Sequence, residues 1–288
     1  VKGYFGNRLA DMAGRYRADV RVIEKPWGEA FTLDELASAL QHHKPAVLAM
    51  VHAETSTGVR QPMEGVGDLC REHDCLLLLD TVTSLGGVPL YLDEWKVDMA
   101  YSCSQKGLSC PPGLGPFTMG PRAEAKLAAR KDKVPNWYLD VSLLNQYWGS
   151  DRVYHHTAPV NMNFGMREAL RLLAEEGLDN AWSRHRRNAE ALWHGLESLG
   201  LSMHVPEDLR LPTLTTVRIP DDVDGKAFSS HLLNSHGIEV GGGLGVLAGK
   251  IWRIGLMGYN STPENVNRLL NLFESELPRF RQGSCVAA

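Results

Sequence analysis

Cys75-Leu76-Leu77-Leu78-Leu79 is an uninterrupted apolar run of strand length that stops at a carboxylate, Asp80. A strand with no polar face must be covered on both sides, and that is the condition of a parallel sheet sandwiched between helices. The same pattern recurs at 46–51 and 97–103, with a further short strand at 116–119. Between these runs lie helical segments at 7–16, 33–40 and 66–73, and a shorter strand at 20–23. Thr32 followed by Glu35 has the spacing of a capping box, which fixes where the second helix begins. Strands separated by helices require right-handed crossovers, so the chain is expected to form an α/β sandwich with a mostly parallel sheet.

In such sheets ligands bind beyond the carboxyl ends of the strands. Asp80 stands at one such end, and Lys106 follows another, closing the segment Tyr101-Ser102-Cys103-Ser104-Gln105-Lys106. An amine and a carboxylate converging on one ligand suit pyridoxal phosphate chemistry. There the lysine bonds covalently to the cofactor aldehyde, and the acid keeps the pyridine nitrogen protonated so that the ring accepts electrons. A structural ion pair at a sheet edge satisfies the same spacing, and Asp is also a common turn residue.

The second half of the chain changes order. A helical pattern at 163–176 ends at Gly177 and another at 179–199 ends at Gly200, both natural positions for helix termination. Strand 213–219, helix 225–235, strand 251–256 and helix 263–277 follow, the last opened by Thr262 as cap and Pro263 at the first helical position. This reads as a small α+β lobe, with the division expected as 1–177 for a large cofactor-binding lobe and 178–288 for the small one. With 288 residues the chain is long enough for two lobes.

Composition narrows the function classes. A net charge of −4 without a basic excess argues against nucleic acid, and no apolar run reaches the ~20 residues that span a bilayer. The five cysteines are odd in number and irregularly spaced, which favours free thiols and a reducing compartment. There is no HExxH and no paired CxxC, so no metal is expected, and ligands for one would have to be gathered from distant positions. The chain begins at Val1 without methionine, and an N-terminal segment is expected to precede it.

Three segments carry a specific resemblance: 52–59 (HAETSTGV), 79–87 (LDTVTSLGG) and 104–108 (SQKGL). With Tyr154-His155-His156-Thr157 and Arg253 they resemble the alanine-glyoxylate, serine-glyoxylate and serine-pyruvate aminotransferases, class V pyridoxal phosphate enzymes, over nearly the whole chain. The resemblance implies an aspartate-aminotransferase-like α/β fold (fold type I): a large lobe with a mostly parallel sheet and a small α+β C-terminal lobe. It implies amino transfer from a small donor, alanine or serine, to glyoxylate by a ping-pong route through the pyridoxamine form of the cofactor. Lys106 would hold the cofactor and move the proton, and Asp80 would pair with the pyridine nitrogen. Val82 and Phe5 would sandwich the ring, Phe5 standing where many relatives carry Trp, and Thr55 would lie beside it. Gln105, Tyr154 and Thr157 would bind the phosphate, the last two reaching into the neighbouring subunit of a homodimer. Arg253 interrupts the apolar run 251–256 and needs a partner; an α-carboxylate of the amino acid or 2-oxo acid substrate fits its planar fork. His155 and His156 are expected to be packed or surface residues.

Family members carry a further glycine-rich segment that holds the cofactor phosphate at a helix start, and it is absent before Val1. Two other readings stay open: a lyase or desulfurase on the same scaffold, and a catalytically incompetent fragment or interaction protein. The glycines at 241–245 match dinucleotide spacing, but a strand follows instead of a helix, so a flexible loop near the site mouth is expected. Without an SKL-type ending, the expected location is the cytoplasm.

Overall fold

A computed structural model describes residues 1–281. The first half runs α1 (Tyr4–Arg15), α2 (Leu33–His43), β1 (Val47–Val51), β2 (Ala53–Glu54), β3 (Val59–Arg60), α3 (Val66–Glu72), β4 (Leu76–Asp80), β5 (Met99–Tyr101), β6 (Phe117–Met119), α4 (Pro121–Ala128), α5 (Val141–Trp148) and α6 (Val160–Glu176). After it come α7 (Leu178–Ser198), β7 (Leu214–Arg218), α8 (Gly225–His236), β8 (Gly241–Gly242), β9 (Ile251–Gly255) and α9 (Pro263–Glu276).

The large sheet has the order β1-β4-β5-β6, with β1 and β5 parallel to β4 and β6 antiparallel to β5. Leu77 and Leu79 of β4 are fully buried among Leu36 and Leu40 of α2 and Val66 and Cys70 of α3, which is why that run tolerates no polar face. The register sets Asp80 opposite Val51 on one side and Tyr101 on the other, so three strands end together. The capping box of α2 is present as read: Glu35 N donates to Thr32 Oγ1 at 3.3 Å and Thr32 N donates to Glu35 Oε2 at 2.9 Å.

The second sheet is antiparallel, in the order β7-β9-β8, and its core is Phe228, Trp252 and Phe273 with Leu192 and Leu196 of α7. Gly177, at φ 83°, separates α6 from α7, a backbone setting that suits a residue without Cβ. This mixed α/β architecture, with helices around a mostly parallel sheet, is the expected class.

Three local expectations change. Residues 20–23 form no ladder; Ile23 O instead accepts a bond from the Val1 amine at 2.6 Å, because no neighbouring strand lies beside them in the described chain. The first helix starts at Tyr4 rather than Asn7, since the carboxylate of Glu54 accepts from the amides of Phe5 and Gly6 at 3.4 and 3.1 Å and extends the helix to that end. The glycine run is not wholly a loop: Gly241 and Gly242 pair with Arg253 and Trp252, and a Cβ on Gly243 would lie 1.9 Å from Leu247 O. The missing side chains allow that close return. Cys70, Cys75, Cys103 and Cys110 are free thiols, and Cys285 lies outside the described residues. Among the described residues no helix is long and apolar enough to cross a membrane.

Candidate active site

Strand ends build the site. Asp80 is buried, its Oδ2 accepting from the Tyr101 hydroxyl at 2.6 Å and its Oδ1 from Val82 N at 2.9 Å. Burial pushes its carboxyl above the usual range, while the Tyr101 and Val82 donors pull it back. Burial, and after it the charge and hydrogen bond of Asp80, push the Tyr101 hydroxyl well up, so the phenol keeps its proton and acts as donor. No ion pair reaches Asp80 among the described residues. A buried carboxylate held by two donors and lacking a cationic hydrogen-bond partner is suited to a cationic ring nitrogen, and that is the sense in which the pocket fits pyridoxal phosphate.

The chain after β5 turns alongside the chain after β4. Thr81 N donates to Tyr101 O at 2.9 Å, Ser102 Oγ donates to Thr81 O at 3.0 Å, and Cys103 Sγ lies 3.9 Å from Val82 O. This pairing brings Ser102 and Cys103 alongside Thr81 and Val82, and Gln105 and Lys106 follow three and four residues after Ser102. The Lys106 turn is braced from behind: Ser109 N donates to Lys106 O at 3.0 Å, and Tyr259 N donates to Ser109 Oγ at 2.7 Å. A Cβ on Gly107 would lie 2.3 Å from Leu85 O, so the turn packs only with glycine there. Lys106 is half-buried, and its ammonium makes no hydrogen bond or ion pair among the described residues.

Arg253 of β9 lies opposite Thr216 and Gly241. Its Nε donates to Gly242 O at 2.7 Å and its Nη1 to Thr55 O at 3.3 Å. These two carbonyls aim the guanidinium and join the small lobe to Thr55. Burial lowers its pKa, with Glu54 acting in the opposite direction, and no carboxylate among the described residues forms an ion pair with it. The partners that the described chain supplies to this arginine are therefore the carbonyls of Gly242 and Thr55.

Sequence reasoning overlooked three residues. Tyr101 faces Asp80 across the ladder, a pairing that depends on strand register. Glu54 is fully buried at the start of α1 and also accepts from Ser56 Oγ at 2.7 Å. Lys2, 4% exposed, donates to Val51 O at 2.7 Å, and burial brings its pKa down to about 8 against the pull of Glu54 and Asp80. A lysine directly before a helix is an ordinary surface residue by pattern, so nothing local marked it.

Phe5 sits at the start of α1 with the Arg8 guanidinium 4.9 Å from its ring centroid, and the Arg8 charge also acts on Tyr101. Tyr154 and Thr157 stand apart. Their hydroxyls are 3.1 Å from each other, Tyr154 is 74% exposed, and no hydrogen bond joins them to Asp80, Gln105 or Lys106 among the described residues. His155 is buried, stacked on Trp137 with ring centroids 4.1 Å apart, a packing role.

The model of the aminotransferase class-V family matches residues 4–269. Alanine–glyoxylate aminotransferase of Oryctolagus cuniculus is 44% identical over 286 residues, covering 98% of this chain and 73% of that protein. The (S)-ureidoglycine–glyoxylate transaminase of Bacillus subtilis (strain 168) is 38% identical, covering 98% of this chain and 72% of that protein. The crystal structure of alanine–glyoxylate aminotransferase from Nostoc sp. superposes with a TM-score of 0.94 at 67% identity, over 95% of this chain and 73% of that one.

Proposed function

The chain belongs to the class-V aminotransferase family, and from that premise we propose that it is a pyridoxal phosphate-dependent aminotransferase that moves an amino group from a small amino acid, alanine or serine, to glyoxylate. The relatives named for glyoxylate transamination support the acceptor, and Asp80 is the single observation in the fold that carries the cofactor assignment. When bound, pyridoxal phosphate supplies an aldehyde for the substrate amine and a ring that draws electrons from the substrate Cα.

Each residue then has a defined task. Asp80, held by Tyr101 and Val82 N, presents a fixed negative charge to the ring nitrogen and keeps it protonated. Lys106 would hold the cofactor through its amine, and the same amine, once free, would be the base that carries the proton from the substrate Cα. A turn locked by Ser109 and Gly107 fixes the backbone from which the long, flexible Lys106 side chain would reach both positions. Arg253 binds the α-carboxylate through two parallel bonds, the same contact serving amino donor and oxo-acid acceptor in turn. Val82 and Phe5 would cover the ring faces and Thr55 would lie beside it.

Gln105 binds the phosphate with Tyr154 and Thr157 of a second copy, which makes the working unit a homodimer. The exposure of Tyr154, and of Trp137, Trp148 and Phe164 in the same part of the sequence, supports that reading. The lobes divide at Gly177, and the free thiols suit a reducing compartment such as the cytoplasm. The test is reconstitution: the chain loaded with pyridoxal phosphate should show a visible absorbance band that borohydride abolishes while fixing the label at Lys106. Loaded protein should convert glyoxylate to glycine with alanine or serine as donor. A chain that labels elsewhere, or that loads but transfers nothing to glyoxylate, removes the proposal.

A further inference from the structure

The small lobe holds a cluster that the transamination site does not use. His231 and His236 of α8 and Glu276 at the end of α9 bring one ligand atom each within 4.8 Å of one another, all three half-buried. His231 Nε2 lies 3.0 Å from Glu276 Oε2, and the two imidazoles meet edge to face with centroids 5.2 Å apart. We propose that these three side chains form a divalent transition-metal site, suited to Zn²⁺, that clamps α8 to α9.

Donor type comes first. Two imidazoles and one carboxylate are the ligands of zinc and its neighbours, whereas magnesium and calcium take oxygen. Donors around a tetrahedral zinc at ~2.1 Å stand about 3.4 Å apart, so the His231–Glu276 pair is already closer than required. The widest separation must close by roughly 1.4 Å, a side-chain rotation rather than a backbone shift.

Support for the ligands is also present. Ser235 Oγ lies 3.2 Å from His231 Nδ1, leaving Nε2 as the metal-facing atom in the manner of an outer-shell partner. The His231 ring packs beside Phe280 at 5.2 Å, which restricts its rotation. His236 is the last residue of α8, where a cation meets the negative end of the helix dipole.

Two contacts oppose the ion: the His231 Nε2–Glu276 hydrogen bond, whose proton must leave Nε2 as the metal takes its place, and the bond from Arg279. Arg279 Nη1 donates to Glu276 Oε2 at 2.6 Å and must swing away or share the carboxylate, leaving Oε1 for the metal. That opposition supplies a distinguishing test.

The experiment titrates the chain, freed of metal by chelator, with Zn²⁺ alone against a competing chromophoric chelator. One equivalent should bind per chain, and Zn²⁺ should raise the thermal unfolding temperature. His231→Gln and Glu276→Gln should each weaken binding at least about tenfold. Arg279→Gln should tighten it, because it removes the competing cation; if the cluster is only an ion-pair network, that variant gains nothing. Circular dichroism of each variant keeps loss of binding distinct from loss of fold. Stoichiometric binding unchanged in His231→Gln and Glu276→Gln places the ion elsewhere, for example at His155 and His156, and overturns the proposal. So does the absence of any Zn²⁺ uptake by the folded chain.

Discussion

Tyr101→Phe removes one oxygen and one hydrogen bond from the deepest part of the site. The phenol donates at 2.6 Å to a carboxylate that is 6% exposed, so solvent cannot take its place. A hydrogen bond to an ionised group contributes about 1.5–3 kcal/mol and one to a neutral group about 0.5–1.5 kcal/mol. The loss should therefore be larger by about 1 kcal/mol when Asp80 is charged, which raises its folded pKa further. Because burial already lifts the folded pKa above the unfolded value of about 3.9, the native state holds this proton more tightly, and stability falls as pH rises from the unfolded to the folded pKa. Removing the phenol extends that fall. Urea unfolding of cofactor-free wild type and variant, at about pH 4.5 and about pH 7.5, should show the larger destabilisation at the higher pH. Equal destabilisation at both values would refute the claim that Tyr101 acts on a buried, titrating Asp80.

Other perturbations test separate parts of the argument. Lys106→Ala should abolish transamination and borohydride labelling together while leaving thermal unfolding of the cofactor-free chain close to wild type, since the ammonium has no bonded partner to lose; retained turnover would remove its assigned role. Arg253→Lys keeps the charge but loses the fork, and should raise KM for amino acid and oxo acid alike by about tenfold or more, measured by steady-state kinetics with both substrates varied. Burial takes His52 down to about 3, so its neutral form adds stability above the unfolded pKa of about 6.5 that is lost as pH falls towards 3; His52→Leu should flatten the acid limb of the stability curve. Phe228→Ala empties the centre of the Trp252, Phe273 and Phe280 cluster and should cost about 3–5 kcal/mol in urea unfolding.

Much of this protein was legible without coordinates because its signals are local. The leucine run before Asp80, the Thr32–Glu35 box and the Thr262-Pro263 start each depend on residues within a few positions, where strand burial and helix capping impose strict chemistry. Gly107, beside Lys106, follows a similar local constraint: a turn that passes Leu85 O leaves no room for a Cβ. Residues 20–23 show the limit of such reading, since their β-branched pattern fits a strand and only a partner strand can make one.

Tertiary structure alone decided what lies across from what. Tyr101 became the donor to Asp80 through parallel register, Lys2 became a buried cation by packing under Val51, and Arg253 met Thr55 from 198 residues away. His231, His236 and Glu276 likewise met only because α8 and α9 end side by side. Sequence periodicity fixes which face of an element is apolar, but the pairing of charged ends depends on long-range closure of the chain. That closure is set by the whole core at once, and no short window of residues contains it.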